Sequence, residues 1–418
     1  MIHPKRVLRL GTRHLACVAR IRASMYTFWL DEDGRQGSAV AVTQAVDGKQ
    51  IVRPPVERET IRVGVIGAGF GANVHVPALQ RVPGIQVAAI CGTDRNRLHE
   101  VAADLDVPAT FGDYREMLAS GRVDAVTIAT PPHLHHPMTL AAIEAGLHVL
   151  CEKPMARNVA EARDMLRMAR EAGVCHAIGH QMRHDPARAQ MKKLIDEDYL
   201  GRLHSVSVMV YRSSLSDPTR RTNDWLIDAS RAGGILAAVG SHYIDTLRWW
   251  FGEIYWAAGA VSTAVEERLV TGREGMRRVD ADDNTAFVLR FASGAIGTVH
   301  ISYTSSAEIG EEIIATGSEG TLAIHDDGRL YGSRHGEPIR SLYKPTGTDI
   351  AERSKGGTAR HIRAFSILAG EWVWAMRSGT DASPSFDDGA KVQEVVDAVT
   401  RSQQLSRWID LSGNKWPV

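Results

Sequence analysis

The chain is poor in the features that announce metal sites, secretion or membranes. Its four cysteines (Cys17, Cys91, Cys151, Cys175) form no C-x-x-C pair and no cysteine–histidine spacing that suits zinc. No metal site is expected, and free, mostly buried thiols fit a reducing, cytoplasmic setting. No run of about 18 apolar residues occurs, so no membrane span is expected. Net charge is also missing, because Lys+Arg and Asp+Glu are both 49. Without a global field of either sign, neither nucleic acid nor an anionic membrane is an expected partner. Acids are absent before Asp31, whereas Lys5, Arg6, Arg9, Arg13, Arg20 and Arg22 are present. That composition fits an organelle transit peptide, a variable extension or an upstream start. Residues 31–60 are polar and end in Arg53-Pro54-Pro55, which reads as an extended linker. Residues 1–60 are therefore expected to be a poorly structured extension without chemistry.

What is present begins at residue 61. A length of 418 residues exceeds what one core usually supports, so two domains are expected, at 61–184 and 185–418. Ile61-Arg62-Val63-Gly64-Val65-Ile66 is a short apolar strand that stops at Gly67-Ala68-Gly69-Phe70-Gly71-Ala72. A buried strand feeding G-x-G-x-x-A is the context in which glycines mark a dinucleotide site. Gly67 permits the turn, Gly69 admits the pyrophosphate, and Ala72 lets a helix over 72–80 pack closely. Further strands at 85–91, 123–129, 148–151 and 174–178 alternate with helices at 95–105, 136–145 and 159–172. That alternation predicts a doubly wound, parallel Rossmann sheet. At the second strand end, Gly92 takes the usual place of an acid, with Thr93 and Arg95 beyond it. An acid would bind the ribose 2′-OH, and an arginine accepts a 2′-phosphate. The cofactor is thus NADP or NAD, with NADP favoured, although Asp94 lies two residues on.

His148-Val149-Leu150-Cys151 ends in Glu152-Lys153-Pro154, placing a lysine where sheet ligands collect. Its ammonium starts near pKa ~10.4; burial would lower it and Glu152 would raise it. A cis Lys153–Pro154 bond is expected in this tight turn.

These motifs resemble the Gfo/Idh/MocA oxidoreductase family, which includes glucose–fructose oxidoreductase and inositol dehydrogenases. The likeness runs through Gly67-Ala68-Gly69 with His75, Thr130-Pro131-Pro132-His133-Leu134-His135, Ala145 to Pro154, and Gly240-Ser241-His242-Tyr243-Ile244-Asp245. It covers most of residues 61–410. It implies that Lys153 sits near the nicotinamide and the reacting carbon, that Phe70, Gly71, Thr130, Pro131 and His135 line the cofactor channel, and that Glu152 holds the nicotinamide end. Arg183, at the domain junction, would face cofactor or substrate. Many relatives carry Asp-x-x-x-His on the helix of His242, with the histidine accepting the proton. Here Ala238 stands at the aspartate position, so Lys153 and His242 must share the proton or recruit another group.

From about residue 185 the pattern changes. Val206, Val208 and Val210 alternate with polar neighbours, and hairpins over 285–303 and 312–325 follow. This half is expected to be α+β with an open, mainly antiparallel sheet that pairs subunits in a homo-oligomer. An amphipathic helix over 389–404 packs beneath it. Asp245 is expected to partner a neighbouring strand or Arg248. A polar loop holding Arg220, Arg221, Asn223, Asp224 and Trp225 suits a sugar, with Trp225 under its apolar face.

The expected activity is NAD(P)-dependent hydride transfer on a secondary alcohol or ketone of a sugar, polyol or pyranose. Two alternatives stay open. One is a dinucleotide-binding regulator like the galactose repressor, and the other is glycoside cleavage by transient oxidation.

Overall fold

The computed structural model describes residues 44–46, 49–51, 59–349 and 358–413. The readings placed on residues 1–43 and on Arg53-Pro54-Pro55 lie outside the described residues. Within the stretch read as linker, Gln44–Val46 and Lys49–Ile51 pair as an antiparallel ribbon.

The first strand of the nucleotide half, β1 (Ile61–Ile66), has Ile61, Val63 and Val65 fully buried. Helices cover both faces of a parallel sheet, which is why its strands read as unbroken apolar runs. Strands β2 (Ile85–Cys91), β3 (Thr110–Phe111), β4 (Ala125–Ile128), β5 (His148–Cys151) and β6 (His176–Ile178) complete it. All pairs are parallel, in the order β3-β2-β1-β4-β5-β6. The strand order reverses between β1 and β4, which fixes the binding crevice beyond their carboxyl ends.

Side chains cap several of the helices. Helix α1 (Val76–Leu79) has no such cap, and a π-helical turn, Gly71–His75, precedes it where a regular helix over 72–80 was expected. Asp94 caps α2 (Arg95–Asp104), and Asp113 caps α3 (Tyr114–Ala119). Helix α4 (His135–Glu144) follows a short 3-10 turn, and Asn158 caps α5 (Val159–Ala172) by accepting from the Glu161 N–H. Gly173, at φ 65°, ends α5 in the left-handed region that glycine tolerates.

After α6 (Pro186–Asp196) the chain builds the second sheet. Its strands are β7 (Leu203–Tyr211), β8 (Ile254–Ser262), β11 (Asn284–Phe291), β12 (Ile296–Ser302), β13 (Gly310–Gly317), β14 (Gly320–His325), β15 (Leu330–Arg334), β16 (Arg340–Tyr343) and β17 (Ile409–Asp410). Strands β9 (Glu267–Leu269) and β10 (Met276–Arg278) form a separate ribbon. The nine strands run β16-β15-β14-β13-β7-β12-β11-β8-β17, antiparallel except for β7 beside β12. Alternation sorts the two faces. Phe287, Leu289, Phe291, Val299 and Ile301 are buried, while Arg290, Ile296, Thr298 and His300 are exposed. The buried face packs on α7 (Ser241–Phe251) through Ile244, Leu247 and Trp250, and on the C-terminal helix α9 (Phe386–Leu405) through Val392, Val395 and Val399.

The largest departure from the sequence reading is α8 (Thr358–Ser378). It follows the second sheet in the chain yet buries Phe365, Leu368, Trp372 and Met376 in the core of β1 and α1. Helix α9 likewise begins in the nucleotide half, where Phe386 stacks on His176 at 5.0 Å. A division into 61–184 and 185–418 gives no sign of these returns. One side of the nucleotide core is built from residues near the chain's end.

On α8, Glu371 lies 3.6 Å from His184. Burial pushes the Glu371 carboxyl up to about 7 against the pull of Arg183. Burial, helped by Arg183, drops His184 to about 4. The contact is therefore no ion pair at neutral pH. A carboxyl with a raised folded pKa contributes stability that is full below its unfolded value and lost as pH rises through 7. Glu371→Gln should match the parent near pH 4.5 and exceed it at pH 8 by on the order of 2 kcal/mol, read from denaturant melts at both pH values.

Candidate active site

The site assembles where β1, β4, β5 and β6 end. The Gly67 N–H donates to the Cys91 carbonyl at 2.9 Å, which draws the glycine-rich turn against the end of β2. Gly67 has φ +117°, and a β-carbon there would stand 2.5 Å from the Ala129 carbonyl oxygen. A β-carbon on Gly69 would meet nothing within 4 Å, leaving an open cradle. Gly71 packs against Val65, sharing the close-approach role expected of Ala72. Among the described residues, the Ala68 and Gly69 N–H groups have no acceptor within the chain. Two free donors over an open cradle suit a pyrophosphate, so these residues fit a dinucleotide. At the end of β2, Gly92 rests beside Ala68, and Thr93 and Arg95 are exposed. Asp94 spends its carboxylate on the Arg97 N–H.

Glu152-Lys153-Pro154 leaves β5 with the Lys153–Pro154 peptide cis, as expected. Glu152 is 5% exposed. One oxygen faces His75 Nε2 at 3.2 Å, and the other accepts the Lys153 N–H at 3.1 Å. Burial pushes this carboxyl up, but His75 and Lys153 outweigh it and hold it below its ordinary value. The π turn delivers His75, which stacks on Phe365 of α8 at 3.9 Å. A β-carbon on Gly179 would lie 2.7 Å from the Glu152 carboxylate, so only glycine leaves it room. These contacts hold Glu152 directly behind Lys153.

His135 also acts behind the site. It is fully buried, with Nδ1 2.9 Å from the Pro154 carbonyl and Nε2 2.8 Å from the Thr130 carbonyl. It ties the β4 and β5 loops together instead of lining the channel, while Thr130 and Pro131 remain partly exposed. Only an imidazolium could donate to both carbonyls, and burial opposes that form by lowering the His135 pKa.

Lys153 crosses to the second half, where its Nζ donates to the Ala238 carbonyl at 3.1 Å. Burial lowers its pKa despite the opposing charge of Glu152. Ala238 lies within a second π-helical turn, Leu236–Gly240, which leads into α7 and His242. His242 is 7% exposed, and its Nδ1 has no partner among the described residues. Burial, then the positive charge of Lys153, pulls its pKa well below the usual imidazole value. His180 meets it edge to face at 5.6 Å, and His361 of α8 stands close enough to depress it further. His180 and His361 are themselves shifted down, first by burial. Lys153 thus sits among neutral imidazoles able to accept a proton. His180 could have been found from the sequence, since it follows a strand end directly. His361 could not, because α8 went unread.

Arg183 is 4% exposed, and its Nε donates to Asp245 at 2.7 Å, with Asp388 of α9 3.1 Å from the same guanidinium. Burial pushes Asp388 up, but Arg183 and the capping Ser385 N–H outweigh it and drop it to about 2. Arg183 therefore clamps the domain junction. Asp245 serves Arg183, and Arg248 pairs with Glu253 instead.

A cavity of about 350 Å³ opens beside the second π turn, lined by Arg220, Arg221, Trp225, Ala238, Val239 and Tyr303. The polar loop thus stands where a substrate would meet the turn that holds Lys153. No cluster of three or more His, Cys, Asp or Glu could hold a metal, and no helix is long and apolar enough to cross a membrane, among the described residues. Cys91, Cys151 and Cys175 are buried and form no disulfide.

Residues 61–180 match the profile described as "Oxidoreductase family, NAD-binding Rossmann fold", and residues 189–323 match the "GFO/IDH/MocA C-terminal domain". An uncharacterized oxidoreductase of Synechocystis is 31% identical over 84% of this chain and 95% of its own length. Levoglucosan dehydrogenase of Pseudarthrobacter phenanthrenivorans is 30% identical over 84% of this chain and 98% of its own. A solved structure of levoglucosan dehydrogenase with NADH and levoglucosan superposes with TM-score 0.76 at 26% identity, covering 85% of this chain and all of that one. With both family domains matched in order on a Rossmann sheet that ends in Glu152-Lys153-Pro154, this chain belongs to the Gfo/Idh/MocA family of NAD-binding oxidoreductases.

Proposed function

We propose that this protein is a dehydrogenase or reductase of a secondary alcohol or ketone on a sugar, polyol or related pyranose. The observation that carries this reading is Lys153, held among neutral imidazoles by the carbonyl of Ala238, a residue that itself lines a cavity of about 350 Å³. The nicotinamide, when bound, takes or gives the hydride. The chain's part is to hold the hydroxyl and move its proton. Lys153 donates a hydrogen bond to the reacting oxygen, and a neutral Lys153 or His242 removes the proton during oxidation. Glu152, held by His75, fixes the Lys153 main chain, and the Ala238 carbonyl holds its ammonium. Known relatives fit this class, since one is named levoglucosan dehydrogenase and another, from Ensifer adhaerens, 1,5-anhydro-D-fructose reductase.

For the cofactor we favour NADP. Thr93, Arg95 and Arg97 are exposed at the end of β2, and the nearest acid, Asp94, is engaged in capping α2. Subunit pairing through the exposed sheet face that carries Met209 and Ile296 accompanies this reading, as does a cytoplasmic, reducing location suited to three buried thiols.

A panel of sugars and polyols run with both cofactors tests the activity. NADP should exceed NAD by about tenfold in kcat/KM, the worth of one charged hydrogen bond to a 2′-phosphate, and Arg95→Ala should erase the difference. A protein that binds dinucleotide but turns over nothing would point to the regulator. Lys153→Met should lower kcat by about 10²- to 10⁴-fold while dinucleotide binding survives. Because burial lowers the Lys153 pKa, oxidation should speed up with rising pH and level off below the ordinary lysine value near ~10.4. A pH–rate profile rising up to or beyond that value would remove Lys153 as the base.

A further inference from the structure

We propose that the substrate is an anionic sugar, carrying a carboxylate or phosphate that Arg220 and Arg221 bind in the cavity that Ala238, the acceptor of Lys153, also lines. This deepens the reading above and rests on it. Of the residues that line the cavity, two are arginines and none is a carboxylate, among the described residues. A site for a neutral polyol needs acceptors for hydroxyl donors, and carboxylates are the strong ones. Position 238 would supply one if it held the aspartate common among relatives, but Ala238 lines this wall instead. The cavity therefore keeps its positive charge.

The acids around the cavity do not cancel that charge, because each is already engaged. Asp224 lies 3.0 Å from Arg231 and 3.7 Å from Arg273. Glu308 and Asp326 take the Arg212 guanidinium at 2.9 and 2.7 Å, and Glu311 takes Arg188 at 2.7 Å. Asp217 accepts both the N–H and the hydroxyl of Thr219, and the charge of Arg220 acts on it only weakly beside those bonds.

The two arginines differ in a useful way. Arg221 Nη1 donates to the Val270 and Arg273 carbonyls at 2.6 and 2.9 Å, which fixes the guanidinium and leaves its other N–H groups to a ligand. Arg220 makes no side-chain hydrogen bond or ion pair among the described residues, and it is exposed at the cavity. One anchored and one unpaired guanidinium suit the planar, bidentate recognition of a carboxylate or the similar recognition of a phosphate. Trp225 and Leu226 beside them give an apolar surface for the ring, and Tyr303, whose phenol burial pushes up to about 12, stays neutral as a hydroxyl partner.

The test compares matched substrates: glucose, glucuronate, gluconate and glucose 6-phosphate, and galactose with galacturonate. Turnover is measured with NADP and NAD, and binding by thermal shift in the presence of the reduced cofactor. At least one anion should exceed its neutral parent by about tenfold in kcat/KM or give the larger shift in melting temperature. The carboxylate and phosphate arms identify which anion is read. Arg220→Gln should reduce the anion-to-neutral ratio by about tenfold, chiefly through KM, and Ala238→Asp should reduce it by restoring a carboxylate to the wall. Melting curves without sugar confirm that both variants fold. Neutral sugars preferred in turnover and binding, with Arg220→Gln leaving the ratio unchanged, would overturn the proposal while the dehydrogenase reading stood. Loss of turnover across the panel would overturn that reading, and the binding arm would still decide the anion.

Discussion

A single buried carboxylate organises the site. Glu152 lies at the end of a central strand, almost without solvent, where an ionised group is costly unless it is paired and hydrogen-bonded. Its partners come from three parts of the chain. The Lys153 N–H is next door, His75 comes from the first π turn, and the space to accommodate it comes from Gly179 after the neighbouring strand. Phe365 then presses on His75 from a helix nearly three hundred residues on. Satisfying one charge thus aligns the glycine-rich turn, the lysine strand and the late helix. The lysine reaches out of this arrangement to the other half of the molecule.

Both halves present their histidine by the same local device. His75 ends one π-helical turn and His242 lies just after another, and in each turn the extra residue shifts side chains off the usual helical spacing. Such turns gather at functional sites because they aim a side chain that a regular helix would direct elsewhere. In the second turn the carbonyl of Ala238 becomes the acceptor for Lys153. A position that lacks a side-chain partner for the lysine supplies a main-chain one, which serves whatever residue stands there.

The parallel sheet was legible because its strands are mostly apolar and several of its helices start at capping residues, Asp94, Asp113 and Asn158 among them. Val159–Ala172 and Pro186–Asp196 fall where Asn158 and Asp185 put them. Glu152-Lys153-Pro154 was legible for the same reason, since a charged pair ends an apolar run. Long-range partnerships were not. Arg183 looked free in sequence, but Asp245 and Asp388, sixty and two hundred residues away, bind it. Helix α8 does carry a readable period, with pairs at Ala364 and Phe365, Leu368 and Ala369, and Trp372 and Val373. Nothing in that period tells which core the helix joins. The π turns leave no signature at all, because their residues, such as Leu236-Ala237-Ala238-Val239-Gly240, are ordinary helix material.

The return of α8 to the first core sets the order in which the protein can finish itself during synthesis. The parallel strands are complete once Ile178 has been made, yet the surface that Phe365, Leu368 and Trp372 cover stays open until Ser378 follows. At ribosomal speeds the interval is about ten to forty seconds, long against the time in which small domains collapse. Throughout it, a nearly finished sheet carries an uncovered apolar groove on the ribosome. The nucleotide half thus closes only when the substrate half is almost complete.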